Sequence, residues 1–155
     1  MFGILLASFA AGCSANSSTS VSSSHSFEES GGCKEAVTSE LPAWAADFAD
    51  LPGRKIISSN QDVIGIIFAN TLCAPAKAGD PSNKILWVVR LPRDDQPLIV
   101  KGRLSGSSEV ATITEDGGSG PGEIYPTEMS VPLPGCWHMT LTWNGNADTI
   151  DLEYQ

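Results

Sequence analysis

The run Pro134–Trp143, PGCWHMTLTW, brings together Cys136, His138 and Met139, side chain types that soft metals favour. The same run reads as a β-strand, and on a strand successive side chains point to opposite faces. Cys136, His138, Thr140 and Thr142 then share one face, and Trp137, Met139, Leu141 and Trp143 share the other. The apolar quartet is the natural core face, which takes Met139 away from any ion held by Cys136 and His138. Those two ligands fall short of the three or four that a tight site takes. A blue-copper centre needs two histidines beside its cysteine. The chain has two, and His25 lies in a serine-rich stretch. A zinc site would need Cys33 or Cys73 together with a carboxylate.

Pairing competes with metal for these cysteines. The sequence holds four: Cys13, Cys33, Cys73 and Cys136. The tetrad Ala10-Ala11-Gly12-Cys13 follows a short apolar run and resembles a bacterial lipobox, which implies that Cys13 is the lipid-modified first residue of the mature protein. No Lys or Arg precedes that run, which points to a start upstream of Met1. In an oxidising compartment two of the other three cysteines tend to pair. Cys33–Cys136 would close a loop of about 100 residues and contribute about 2–5 kcal/mol. Cys73–Cys136 is the alternative, with Trp87 between them as in the Cys-Trp-Cys order of antibody domains.

Other candidate chemistry is thinner. The glycine-rich EDGGSGPGE, residues 115–123, lacks the Gly-Lys-Ser/Thr ending of a phosphate loop. It reads as a mobile loop at one end of the fold, a place where recognition residues commonly sit. The acidic pairs Asp94-Asp95 and Glu115-Asp116 lie in turn-like sequence, and no GxSxG elbow occurs. Asp148 and Asp151 with Asn144 and Asn146 carry oxygen ligands, though without recognised calcium-loop spacing. No catalytic constellation emerges, and the sequence implies no cofactor.

The elements that must position these residues are mostly strands. SELPAWAADFAD spaces Trp44 and Phe48 four apart, which predicts a helical turn near residues 42–49 packing both aromatics inward. Strand patterns follow at 63–70, 84–91, 97–104, 109–114 and 127–133, the last demoted to an edge by Pro132. CWHMTLTW and DTIDLEY, joined by NGNA, form the clearest hairpin. Short strands with frequent turn signals and no long helical period predict an all-β fold, an immunoglobulin-like antiparallel β-sandwich of about seven strands. Residues 1–12 read as a lipoprotein signal peptide, 13–32 as a serine-rich tether too polar to order itself, and 33–155 as the sandwich.

The segments LPAWA, NKILWVVRLP, GSGPGEIYP, PGCW and the terminal DTIDLEY together resemble a family of small, uncharacterised bacterial lipoproteins across residues 33–155. That resemblance implies secretion, a sandwich and a disulfide between Cys33 and Cys136; it implies no activity. The net charge of −9 and pI near 4.5 argue against nucleic acid, whose phosphates would be repelled. The reading is a lipid-anchored extracytoplasmic module that binds rather than catalyses, its partners being the membrane through its lipid and an envelope protein or small ligand. Such a module needs an exposed apolar patch, for which Trp44 and Tyr125 are the candidates. The rival reading is a metal- or redox-linked envelope protein using Cys136, His138 and Cys73.

Overall fold

The computed structural model describes residues 33–76 and 83–155. Residues 1–32, which the sequence suggests are a signal peptide and tether, lie outside the described residues, and Cys13 and His25 with them. Eight strands run in the order β1 Arg54–Ile57, β2 Val63–Ile67, β3 Lys84–Val89, β4 Leu98–Leu104, β5 Val110–Glu115, β6 Ile124–Glu128, β7 Gly135–Trp143 and β8 Asn146–Tyr154. They form two antiparallel sheets, β1-β2-β3-β6 and β5-β4-β7-β8. Placing β3 and β6 at strands B and E, and β5, β4, β7 and β8 at C′, C, F and G, gives the immunoglobulin-type arrangement of two sheets. β1 is an addition at the edge of the first sheet. The expected sandwich is therefore present, with one strand more than the sequence pattern indicated.

The core is built by alternation. Trp137, Met139, Leu141 and Trp143 of β7 face inward, as expected, against Trp87 and Tyr125 of the other sheet. Each sheet uses one inward glycine to seat its large neighbours. A Cβ on Gly65 would lie 2.9 Å from the Trp87 ring, and one on Gly102 would lie 2.6 Å from Met139 Sδ. Polar tips of the buried aromatics find partners: Trp87 Nε1 donates to Thr127 Oγ1 at 3.1 Å, and Trp143 Nε1 to the Leu91 carbonyl at 3.1 Å.

β2 is buried on both faces because a 3-10 helix at Ala43–Phe48 lies over the first sheet. Ala45 packs there against Ile64, Ile66 and Val88, with Trp44 and Phe48 half-buried at the margin. The β7–β8 turn is tight, Asn144 and Gly145 taking φ of 41° and 75°, the positive pair that a two-residue hairpin favours. β6 begins earlier than its sequence pattern suggested. Met129 and Val131 are buried from irregular backbone, while Pro126 sits on the exposed side of this edge strand.

One side of the sandwich is laced shut. Residues 36–38 extend the β1 edge, the Thr38 N–H donating to the Lys55 carbonyl at 2.9 Å and the Ile57 N–H to the Ala36 carbonyl at 3.0 Å. Glu35 accepts from Arg54 of β1 through Oε2 and, through Oε1 at 2.7 Å, from the Glu153 backbone N–H of β8. Asp148 of β8 points inward and is 2% exposed. Its carboxylate accepts from Ser58 Oγ at 2.5 Å and from the backbone N–H groups of Asn60 at 3.0 Å and Asp62 at 3.2 Å. It thereby ties the β1–β2 turn to the second sheet.

Candidate functional site

The helix covers the outside of the first sheet, whereas among the described residues no such cover lies over the outside of the second. Strand register sets that open face in rows. Thr112, Lys101, Thr140 and Thr149 align in one, and Val110, Arg103, His138 and Asp151 in the next. Cys136 and Glu153 pair in the row beyond. Lys101 and Arg103 are exposed on a central strand, and neither makes an ion pair or side-chain hydrogen bond among the described residues. By contrast Arg54 is paired with Glu35, and Arg90 with Asp62 at 3.3 Å. Burial holds the Arg54 guanidinium somewhat below its usual pKa.

Cys136 is joined to Cys33 by a disulfide, with Cα atoms 5.1 Å apart. Of the two pairings left open by the sequence, Cys33–Cys136 forms and Cys73–Cys136 does not. The reason is topological: β7 opens at the laced side, where residues 33–38 run along β1 and β8. Cys73 was expected to be left over from this pairing. Instead it too is disulfide-bonded, and no cysteine among the described residues is free. It is half-buried, its backbone N–H donating to Asn83 Oδ1 at 2.8 Å.

His138 stands on the face that alternation assigned to it. Its Nδ1 lies 2.6 Å from Asp151 Oδ1, the imidazole 55% exposed and the carboxylate 26%. Cys136, His138 and Asp151 each offer a ligand atom within 4.8 Å of the others, and so do Cys33, Cys136 and Glu153. Cys73 is in neither group. With the disulfide formed, the two sulfurs are not thiolates and cannot act as such ligands. The grouping of Cys136 and His138 with Cys73 is therefore corrected: the side chains that converge with Cys136 are His138 and Asp151 on one side and Cys33 and Glu153 on the other. Glu153 was missed, although counting back through the Asn144-Gly145 turn pairs Cys136 with Glu153 and His138 with Asp151.

The other candidates take structural roles. Asp148 and Asp151 lie on opposite faces of β8, so they do not converge with Asn144 and Asn146 on one ion. Asn144 Nδ2 donates to the Pro92 carbonyl at 3.0 Å and to Asp94 Oδ2 at 2.8 Å, closing the β3–β4 loop against the hairpin. The glycine-rich loop is tied down. Arg93, 8% exposed, donates from Nη2 to the Gly120 carbonyl and from Nη1 to the Ile124 carbonyl at 2.7 Å. Its guanidinium lies 5.4 Å from the Tyr125 ring centroid. Glu115 closes β5 while Asp116 turns the chain, its Oδ1 accepting from the Gly118 N–H at 2.8 Å.

Tyr125, expected in an exposed patch, is fully buried and donates to the Gln96 carbonyl at 2.8 Å. Burial pushes its phenol above the usual pKa, with Arg93 opposing. Among the described residues the exposed large apolar side chains are Val37, Phe68, Val110 and Leu133, which come from separate segments of the chain. No described helix is long and apolar enough to cross a membrane. Comparison with family models, curated proteins and solved structures finds no match for this chain.

Proposed function

We propose that the chain is a lipid-anchored extracytoplasmic β-sandwich that binds rather than catalyses, with the open face of the second sheet as its binding surface. The observation that carries the binding reading is the pair of cations Lys101 and Arg103, without a side-chain partner among the described residues, standing among threonine hydroxyls on a chain of net charge −9. Elsewhere arginine charge is used internally, at Arg54, Arg90 and Arg93. The β4 side of this polar face, which carries the two cations while Asp151 and Glu153 lie on β8, suits an anionic ligand more than an apolar one, which redirects the expectation of an aromatic patch. Disulfide use at Cys33, Cys73 and Cys136 supports an oxidising compartment.

The anchor rests on the lipobox-like sequence at Cys13. One sulfur carries either a thioether to diacylglycerol or a disulfide, so the mass of the Cys13 peptide decides whether the chain is anchored. The binding surface is tested by sedimenting the full chain with insoluble anionic polysaccharide and with neutral polysaccharide. Retention by the anionic matrix alone, lost in Lys101→Ala/Arg103→Ala, supports the reading. Equal behaviour of both proteins on both matrices rejects it.

A further inference from the structure

Two ligand groups share Cys136: Cys33 with Glu153, and His138 with Asp151, each set converging within 4.8 Å. Two sulfurs, an imidazole and a carboxylate are the side chains that zinc takes in tetrahedral sites. We propose that reduction of the Cys33–Cys136 disulfide opens a zinc site, with Cys33, Cys136, His138 and Glu153 as ligands and Asp151 orienting His138. This goes beyond the binding function above and does not rest on it.

The geometry supports the site on three counts. First, the sulfurs are held close by more than their own bond. Glu35, two residues after Cys33, is fixed by Arg54 and by the Glu153 backbone N–H, and Val37 bridges to Ile56. The Cys33 segment therefore keeps its place against β7 and β8 when the disulfide opens. Second, Cys136 and His138 stand on one face of β7, with Glu153 and Asp151 directly opposite them on β8. Antiparallel pairing brings such side chains within about 4.5–5.5 Å at Cβ. Third, the 2.6 Å contact from His138 Nδ1 to Asp151 leaves Nε2 for metal. A carboxylate on the far nitrogen is the usual support of a zinc-bound histidine.

The chemistry balances with a dithiol reductant, whether a protein or a small molecule. The dithiol passes two electrons to the Cys33–Cys136 bond, which breaks as a disulfide forms in the reductant. The two thiol protons end on Cys33 and Cys136. Zinc then releases both protons to solvent as two zinc–sulfur bonds form, so the disulfide gates the metal.

The test uses the full chain carrying Cys13→Ser and Cys73→Ser, so that Cys33 and Cys136 are its only cysteines. Oxidised and reduced forms, stripped of metal, are titrated with zinc against a chromogenic zinc indicator while tryptophan emission reports the fold. The expected result is one zinc per reduced chain and binding at least about tenfold weaker in the oxidised chain. His138→Ala weakens the reduced chain's affinity at least about tenfold, since even outer partners of metal ligands carry effects of that size. If reduction unfolds the chain, zinc restores the native emission. A folded reduced chain that takes no zinc overturns the proposal. So do an unfolded one that zinc fails to restore and equal affinity in His138→Ala.

Discussion

Replacing Asp148 with alanine removes the acceptor that fastens the first sheet's β1–β2 turn to β8. Three donors of that turn lose it: the hydroxyl of Ser58, itself 2% exposed, and the N–H groups of Asn60 and Asp62; the neighbouring Thr149 N–H, on the exposed side of β8, loses it too. A buried hydroxyl left without an acceptor costs about 1–3 kcal/mol. Each backbone N–H bonded to a carboxylate adds about 1 kcal/mol, reduced where water reaches the exposed Asn60. The sum is a loss of about 3–5 kcal/mol, a large part of the about 5–15 kcal/mol that holds a typical domain together. Urea unfolding followed by tryptophan fluorescence reads it. With a slope of about 1.5 kcal/mol per molar, the midpoint falls by about 2–3 M with the slope unchanged. Ser58→Ala cuts the same link from the other end. The double variant therefore loses less than the sum of the singles, by about 1 kcal/mol or more. A loss below about 1 kcal/mol for Asp148→Ala, or full additivity with Ser58→Ala, refutes the assignment of this carboxylate as a tie between the sheets.

Two further outcomes follow from the core. Burial drives the Tyr154 phenol far above its usual pKa, and that of Tyr125 in the same direction. Above about pH 10 the unfolded tyrosines ionise while the folded ones keep their protons, so stability present below that pH declines as pH rises, by up to about 1.4 kcal/mol per unit per residue. Urea midpoints between pH 8 and 11.5 are expected to fall with a shallower slope in Tyr154→Phe, and an identical slope counts against the burial. Gly65→Ala places a methyl 2.9 Å from the Trp87 ring and 3.0 Å from Ile56 Cγ1. It is expected to lower stability by about 1–3 kcal/mol in the same assay, and a stabilised variant contradicts the packing.

Legibility in the sequence tracks how local the determining interaction is. The β7–β8 hairpin could be read because Asn144-Gly145 sets the turn and strict alternation sets both faces. β1 was missed because Arg54–Ile57 carries two charged residues and two isoleucines, with no alternation long enough to register. What makes it a strand is pairing with β2 and with residues 36–38, both outside that stretch. Tyr125 was misjudged for a similar reason. The neighbouring prolines and glycines signal a loop, yet β6 pairs with β3 and turns Tyr125 and Thr127 into the core. Of the site, Cys136 and His138 were correctly placed on one face. Their carboxylate partners depend on register across the hairpin, and Cys33 depends on a segment about 100 residues away that runs along the sandwich edge. Asp148 gave no signal because its partners lie in the β1–β2 turn and are mostly backbone.

The most direct test is a peptide map of the full chain, recovered from its native compartment with thiols blocked and disulfides intact. The expected result is a Cys33–Cys136 linked peptide and a Cys13 peptide carrying the mass of a diacylglycerol thioether. A blocked thiol at Cys136, or Cys13 recovered in a disulfide, contradicts the stapled, lipid-anchored module proposed here.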